Sequence, residues 1–303
     1  MSGGHLFRRA AEASYSVPEE PAGRSEGFRV WPVVGEDAGA VHTGFDICEL
    51  EAEGKVDAHV HSFEQSFFVL EGEAVLDTPG GSTLFRTGDY GLVPVGVPHS
   101  WRATDKGAAR WANMAAPAPR HRFDGDTMFV PPLASQEPVP VDVRDPRTRS
   151  SGHIDPPNMD ANRQTQDMLA VSASMRTALL VYSGITVKMM VDSDLGAQLS
   201  TMFMVQYEPE GVAGAHDHPL EETYLILEGH VDAVFDGEEC RLGPGDVGWA
   251  GVGSVHQFSN PGPSPVRWLE TQAPQPPARH SYRFARDWTY LRDTLSSSGR
   301  NHG

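Results

Sequence analysis

The stretch Gly214–Gly229, "GAHDHPLEETYLILEG", sets two histidines one residue apart, an acidic pair shortly after them, and an apolar run closed by Glu-Gly. In an extended strand, residues i and i+2 lie on one face. The imidazoles of His216 and His218 therefore converge, while Glu222 opens the next apolar strand. A third imidazole, His256, arrives from "GDVGWAGVGSVHQFSN" (Gly245–Asn260), which reads as a later hairpin. Three imidazoles and a carboxylate suit Fe(II), Mn(II), Ni(II), Co(II) or Zn(II), with coordination positions left for water or substrate. Two residues after Glu222, strand alternation turns Tyr224 inward, either as core packing or as a hydrogen-bond donor to a ligand.

The chain repeats this pattern at an offset of 157 residues without a gap. "FDICELEAEGKVDAHVHSFEQSFFVLEGEAVLD" (Phe45–Asp77) aligns with "MFMVQYEPEGVAGAHDHPLEETYLILEGHVDAV" (Met202–Val234). His59 falls on His216, His61 on His218, Gly72 on Gly229, His99 on His256 and Trp111 on Trp268. Six of the thirteen histidines occupy these repeated positions, a concentration that argues for ligation rather than scattered structural use. In the first copy Gln65 takes the place of Glu222, and Glu64 stands beside it.

These residues carry a resemblance to the cupin superfamily. Its motifs are G-x5-H-x-H-x3/4-E-x6-G and G-x5-P-x-G-x2-H-x3-N. The second copy matches as His216-x-His218-x3-Glu222-x6-Gly229 and Gly245-x5-Gly251-x-Gly253-x2-His256-x3-Asn260, with Gly251 in place of proline and Gly211 one residue close. The first matches as His59-x-His61-x3-Gln65-x6-Gly72 and Gly88-x5-Pro94-x-Gly96-x2-His99, with Ala103 where asparagine is usual. The resemblance implies an all-β chain of two tandem jelly-roll (double-stranded β-helix) barrels with a few short helices, a bicupin. It also implies up to one divalent transition metal per barrel, Fe(II) or Mn(II) ahead of Ni(II), Zn(II) or Co(II). The ligand sets would be His59, His61, Gln65 and His99, and His216, His218, Glu222 and His256. Some cupins ligate through such a glutamine.

The remaining composition fits. Glycine and proline are frequent, 31 and 24 of 303 residues, and the apolar segments are short, which favours strands and turns over long helices. "EGH" and "DGEE" read as hairpin turns and "LGPGD" as a tight turn. A boundary reading gives an N-terminal extension (1–26), a first barrel (27–123), a Pro-rich connector (124–165) and a second barrel with tail (166–303). The connector, with seven prolines between Asp126 and Asp160, is expected to lie extended over the surface. "MRTALLVYSGITVKMMVD" (Met175–Asp192) and "GFRVWPVV" (Gly27–Val34) read as the opening strands of the two barrels, and the tail around Tyr282–Leu291 as a helix.

A net charge of −17 opposes non-specific attraction to nucleic acid or anionic lipid. No stretch approaches the ~18 apolar residues of a membrane span. The opening "MSGGHLFRRAAEASYS" carries no signal-peptide core, so the expected location is the cytoplasm. Cys48 and Cys240 are expected as reduced thiols. The expected partner is a small-molecule substrate, and the expected state a monomer or homodimer.

Cupin membership fixes a site better than a reaction. Three readings stand. The first is a dioxygenase-type enzyme in which Glu222 is ligand or base and Tyr224 assists. The second is a non-redox isomerase, lyase or aminohydrolase that uses the metal as Lewis acid, and the third is a metal-stabilised binding protein without turnover. An oxalate decarboxylase fits less well, because no arginine stands within the motifs to hold a second carboxylate.

Overall fold

Each glycine-punctuated apolar segment forms a strand. The computed structural model describes residues 4–18, 23–160, 177–180, 184–275 and 283–284. The strands of the first half are β1 (His5–Arg8), β2 (Ser25–Val34), β3 (Gly44–His61), β4 (Glu64–Glu71), β5 (Glu73–Thr78), β6 (Gly81–Arg86), β7 (Asp89–Val93), β8 (His99–Ala103) and β9 (Ala109–Ala116). The connector adds β10 (Thr127–Phe129), β11 (Val139–Pro140) and β12 (Ser151–His153). The second half holds β13 (Thr177–Leu180), β14 (Ile185–Val191), β15 (Thr201–Tyr207), β16 (Val212–Asp217), β17 (Glu221–Glu228), β18 (Val231–Phe235), β19 (Glu238–Leu242), β20 (Val247–Ala250), β21 (His256–Ser259), β22 (Val266–Ala273) and β23 (Arg283–Phe284). Helical structure among the described residues is confined to short 3₁₀ turns.

The second half folds as two facing sheets. One runs β1-β20-β17-β22-β15-β14-β13 and the other β19-β18-β21-β16-β23. In the first half the long β3 bends through both sheets. Residues 44–50 pair with β9 and residues 55–59 with β8, joining eleven strands in one network. This is a jelly roll, and its rule of crossing between sheets corrects two expectations. "EGH" carries the chain from β17 to β18 in the opposite sheet and is not a hairpin turn. Likewise β20 and β21 lie in different sheets, so His256 enters from a crossover rather than a hairpin. "DGEE" does close a hairpin: Phe235 pairs with Glu238 while Asp236 and Gly237 both take positive φ, 49° and 90°.

Period-2 alternation sorts the side chains into three apolar cores. Phe67, Phe85, Trp101 and Trp111 fill the first barrel. Tyr207, Tyr224, Phe235, Phe258 and Trp268 fill the second. A third core lies between the halves and unites Trp31, Phe68, Tyr90 and Met114 with Met190, Met202, Leu225 and Trp249. Burying one such side chain is worth about 1.5–3 kcal/mol, so this seam outweighs any single polar contact across it.

The halves are also laced by exchanged segments. The amino-terminal β1 pairs with β20 of the second barrel, while the connector's β12 pairs with β7 of the first. The connector alternates short strands with 3₁₀ turns and is paired to the first barrel: β10 runs along β3 beside His59 and His61. The tail, expected as a helix, begins at Arg283–Phe284 as a strand on β16, because its backbone there meets the open edge next to His216. The rest of that tail lies outside the described residues. Cys48 and Cys240 are both free thiols. Among the described residues, no helix is long and apolar enough to cross a membrane.

Candidate metal centres

In the second barrel, β16 carries His216 and leads into His218, β17 brings Glu222, and β21 brings His256. All four side chains are buried, His218 and His256 almost completely. In the first barrel the end of β3 carries His59 and His61, β4 brings Gln65, and β8 brings His99. Within each triad, one ligand-capable nitrogen per histidine lies within 4.8 Å of the others.

The hydrogen bonds fix which nitrogen faces inward. His59 Nδ1 lies 2.7 Å from the Asp57 carbonyl and His99 Nδ1 3.0 Å from that of Val97. His216 meets the Gly214 carbonyl at 2.7 Å, His218 that of Leu220 at 3.0 Å and His256 that of Ser254 at 3.0 Å. A carbonyl only accepts, so each Nδ1 carries the proton and donates it. His61 Nδ1 donates to Thr127 Oγ1 at 2.9 Å, because that hydroxyl gives its own proton to the Gly125 carbonyl. In the neutral ring, all six Nε2 atoms are then bare lone pairs, the form in which imidazole binds a cation.

Electrostatics keep most of these rings neutral. Burial, with His59 adjacent, lowers His99 to about 3. Burial lowers His59, and burial together with His99 and His59 takes His61 well below the usual range. Burial, with His256 nearby, brings His216 down to about 4. His218 goes the other way: burial disfavours its charge, but Glu222 outweighs burial and raises it. Its Nε2 stands 2.7 Å from Glu222 Oε2, and His256 Nε2 stands 3.4 Å from the same oxygen. With both Nδ1 protons committed, so close an approach of nitrogen and carboxylate needs a positive charge between them, either a proton or a shared metal cation. Glu222 is itself held well below the usual carboxylate range; burial opposes this, and His218 and His256 overcome it.

The fourth position differs between barrels. Tyr224 donates its hydroxyl proton to Glu222 Oε2, and Gln272 Nε2 donates to Oε1. Glu270, on β22 opposite Tyr224, accepts from Trp268 Nε1 at 2.8 Å. Burial and the charge of Glu222 raise it well above the carboxylate range, which leaves it a neutral acid. In the first barrel Gln65 Nε2 donates to Asn113 Oδ1 at 2.5 Å, which leaves Gln65 Oε1 as the uncommitted acceptor of that amide. Among the described residues, Gln65 Oε1 and His99 Nε2 are buried with no hydrogen-bond partner, and a buried acceptor in that state carries a desolvation cost of about 1–3 kcal/mol. One cation between them removes both deficits, so this donor set fits a metal.

The sequence reading brought together the residues that meet here, and it placed Tyr224 facing inward beside Glu222. It missed Thr127, Asn113, Glu270 and Gln272. For Asn113, Glu270 and Gln272 the signal available was a polar side chain at inward positions of the strands "RWANMAA" and "VRWLETQA".

A family model described as a cupin domain matches this chain twice, over residues 46–115 and 203–271. Quercetin 2,3-dioxygenase of Bacillus subtilis is 28% identical over 230 residues, covering 68% of this chain and 66% of that protein, so the match spans just under two thirds of the relative. Oxalate decarboxylase of Lactobacillus farciminis, solved as a formate complex, superposes with a TM-score of 0.62 at 17% identity, covering 96% of this chain and 92% of that one. Oxalate decarboxylase of Bacillus subtilis superposes at 0.63 with 14% identity, covering 98% and 83%. A solved structure of that enzyme is described as bearing Mn(II) centres. At these identities the structures speak for the fold alone.

Proposed function

Because the chain is a bicupin, with two tandem domains of the cupin superfamily, we propose that it is a metal-dependent enzyme acting on a small molecule, with its chemistry at the second centre. The observation that carries this reading is the commitment of every Nδ1 proton outward, which leaves six Nε2 lone pairs gathered in two threes, buried except for the half-buried His61. His216, His218, His256 and Glu222 would hold one divalent transition ion, and His59, His61, His99 and Gln65 a second. Such an ion supplies Lewis acidity toward an enolic or catecholic oxygen and, as iron or manganese, an electron path to dioxygen.

The residues of the second barrel supply the rest. Glu222 would serve as a ligand or as the base for a substrate hydroxyl. The Tyr224 hydroxyl and the Gln272 amide hold that carboxylate from both sides, so its position is set before substrate arrives. The aromatic floor of Tyr224, Phe235 and Phe258 keeps water from below the centre. Oxygenation is favoured over decarboxylation because the relative that aligns by sequence is a dioxygenase, whereas the decarboxylases share the fold only.

One observation supports a second reading, non-redox Lewis-acid chemistry at the first centre. Its four donors are all neutral, which leaves a bound dication more electrophilic. Metal analysis of purified protein, combined with oxygen uptake on flavonols and simple enolic or catecholic compounds, separates the two. Bound iron or manganese with oxygen consumption supports oxygenation. Zinc or nickel with anaerobic turnover supports the second reading, and no turnover across the panel overturns both in favour of a binding protein.

A further inference from the structure

The residue pairs that open β4 and β17, Glu64-Gln65 and Glu221-Glu222, divide their labour across the two faces of the strand. Gln65 and Glu222 point into the barrels, as do Phe67 and Val69, Tyr224 and Ile226. Their predecessors, Glu64 and Glu221, share the outer face with Phe68 and Leu225 and are buried at the seam between the halves, 2% and 3% exposed. Among the described residues neither is paired with a lysine or arginine; Glu221 lies within electrostatic reach of His42, while burial raises its pKa. The Glu64 carboxylate accepts from the backbone amides of Gln198 at 2.7 Å, Leu199 at 3.3 Å and Ser200 at 3.0 Å, and from Ser200 Oγ at 2.6 Å. Glu221 accepts from the amides of Val41 at 2.9 Å, His42 at 3.1 Å and Thr43 at 3.0 Å. The two sets correspond at the 157-residue offset, so each half grips the other in the same way.

We propose that Glu64 and Glu221 are positioning residues, each fixing the fourth metal donor of its own barrel by anchoring the adjacent backbone in the opposite half. This rests on the metal reading above and deepens it: neither centre is fully built by its own half. The anchor is stiff because three successive backbone amides converge on one carboxylate. Only one peptide unit separates each anchor from its donor. A displaced anchor therefore tilts Gln65 Oε1 or the Glu222 carboxylate away from the convergence point of the three Nε2 atoms.

The test is Mn(II) binding to the full chain, with the two sites assigned from His99→Ala and His256→Ala, each of which leaves one site. The variants are Glu64→Gln and Glu221→Gln, whose amide offers one acceptor oxygen in place of two. Glu221→Gln is expected to weaken the second site by about tenfold, the low end for lost support of a metal ligand, and to alter its Mn(II) electron paramagnetic resonance spectrum while leaving the first unchanged. Glu64→Gln gives the mirror result. Equal weakening of both sites by either variant, or unchanged affinities at both, overturns the proposal and leaves Glu64 and Glu221 as interface cement only. If either glutamine variant fails to fold, the aspartate variants, which keep the charge one methylene short, are read by the same site-selective criterion. Absence of Mn(II) binding by the unaltered chain overturns the metal reading itself, a different failure.

Discussion

The two barrels present the same three imidazoles but surround the fourth donor differently. Four inward positions diverge at the 157-residue offset: Gln65 against Glu222, Phe67 against Tyr224, Asn113 against Glu270 and Ala115 against Gln272. In the first barrel an amide pair, Gln65 and Asn113, hydrogen-bonds within itself and leaves one neutral oxygen uncommitted. In the second, an ionised carboxylate is held by two donors, Tyr224 and Gln272, above a neutral acid, Glu270. Two buried carboxylates side by side cannot both ionise cheaply, so the pair shares its roles: Glu222 carries the charge and Glu270 the proton. A dication keeps its full charge in the first setting and is half neutralised in the second. The second centre is therefore suited to hold metal more tightly than the first.

The largest test of that contrast removes one imidazole from each side. His256→Ala is expected to cost one bound ion per chain and to lower turnover by on the order of 10³, the worth of several kcal/mol of Lewis-acid stabilisation. His99→Ala is expected to cost one ion as well, with little change in turnover. Metal content and steady-state rates measured on both variants decide it, and the reverse pattern moves the chemistry to the first barrel.

Glu222→Gln makes the second centre imitate the first. Ligation survives through the amide oxygen, but the proton acceptor is gone, so turnover falls by roughly 10²-fold, the low end of what a positioned acid–base group supplies. Retained metal with lost rate is the expected outcome. Unimpaired rate denies Glu222 the role of base.

Asn113→Leu probes the other side. Without its acceptor the Gln65 amide is free to rotate, and the first site is expected to bind metal about 10–100-fold more weakly while the second is unaffected. Competition with a chelator reads the two affinities separately.

How much of this was legible beforehand follows from what each feature depends on. The histidines, Gln65 and Glu222 were readable because ligand spacing is local and recurs at a fixed offset. Strand alternation was enough to turn Tyr224 inward, and it also implies that Glu64 faces away from Gln65. What Glu64 meets there was not readable, because its partners stand more than 130 residues along the chain. Asn113, Glu270 and Gln272 were missed for a related reason: they reach the centre by lateral pairing of β9 with β4 and β22 with β17, and ladder register does not show in a single strand. The hairpins inferred from "EGH" and before His256 failed because a glycine turn marks a reversal without stating which sheet receives the next strand.

The exchanged segments offer the smallest and most selective test of the two-barrel comparison. On the second barrel, Arg9 at the end of β1 bonds Asp246 at 2.8 Å, and on the first His153 at the end of β12 bonds the corresponding Asp89 at 2.7 Å. His153 also reaches Asp155 at 3.0 Å, and the hydrogen bond to Asp89 raises it to about 9 against the opposing effect of burial. An arginine keeps its charge across this range, whereas a histidine does not. Because the folded value lies above the unfolded value of about 6.5, the latch contributes fully below pH 6.5, weakens as pH rises through 9 and is lost beyond it. His153 is 40% exposed, so water screens the pair and the contribution is about 1 kcal/mol or less. Urea midpoints of the unaltered chain and of His153→Arg, taken from pH 6 to pH 10, are expected to coincide at the acid end and separate at the alkaline end, with the variant the more stable there. Parallel curves would mean that β12 is held by its backbone ladder and that the charge on His153 contributes nothing.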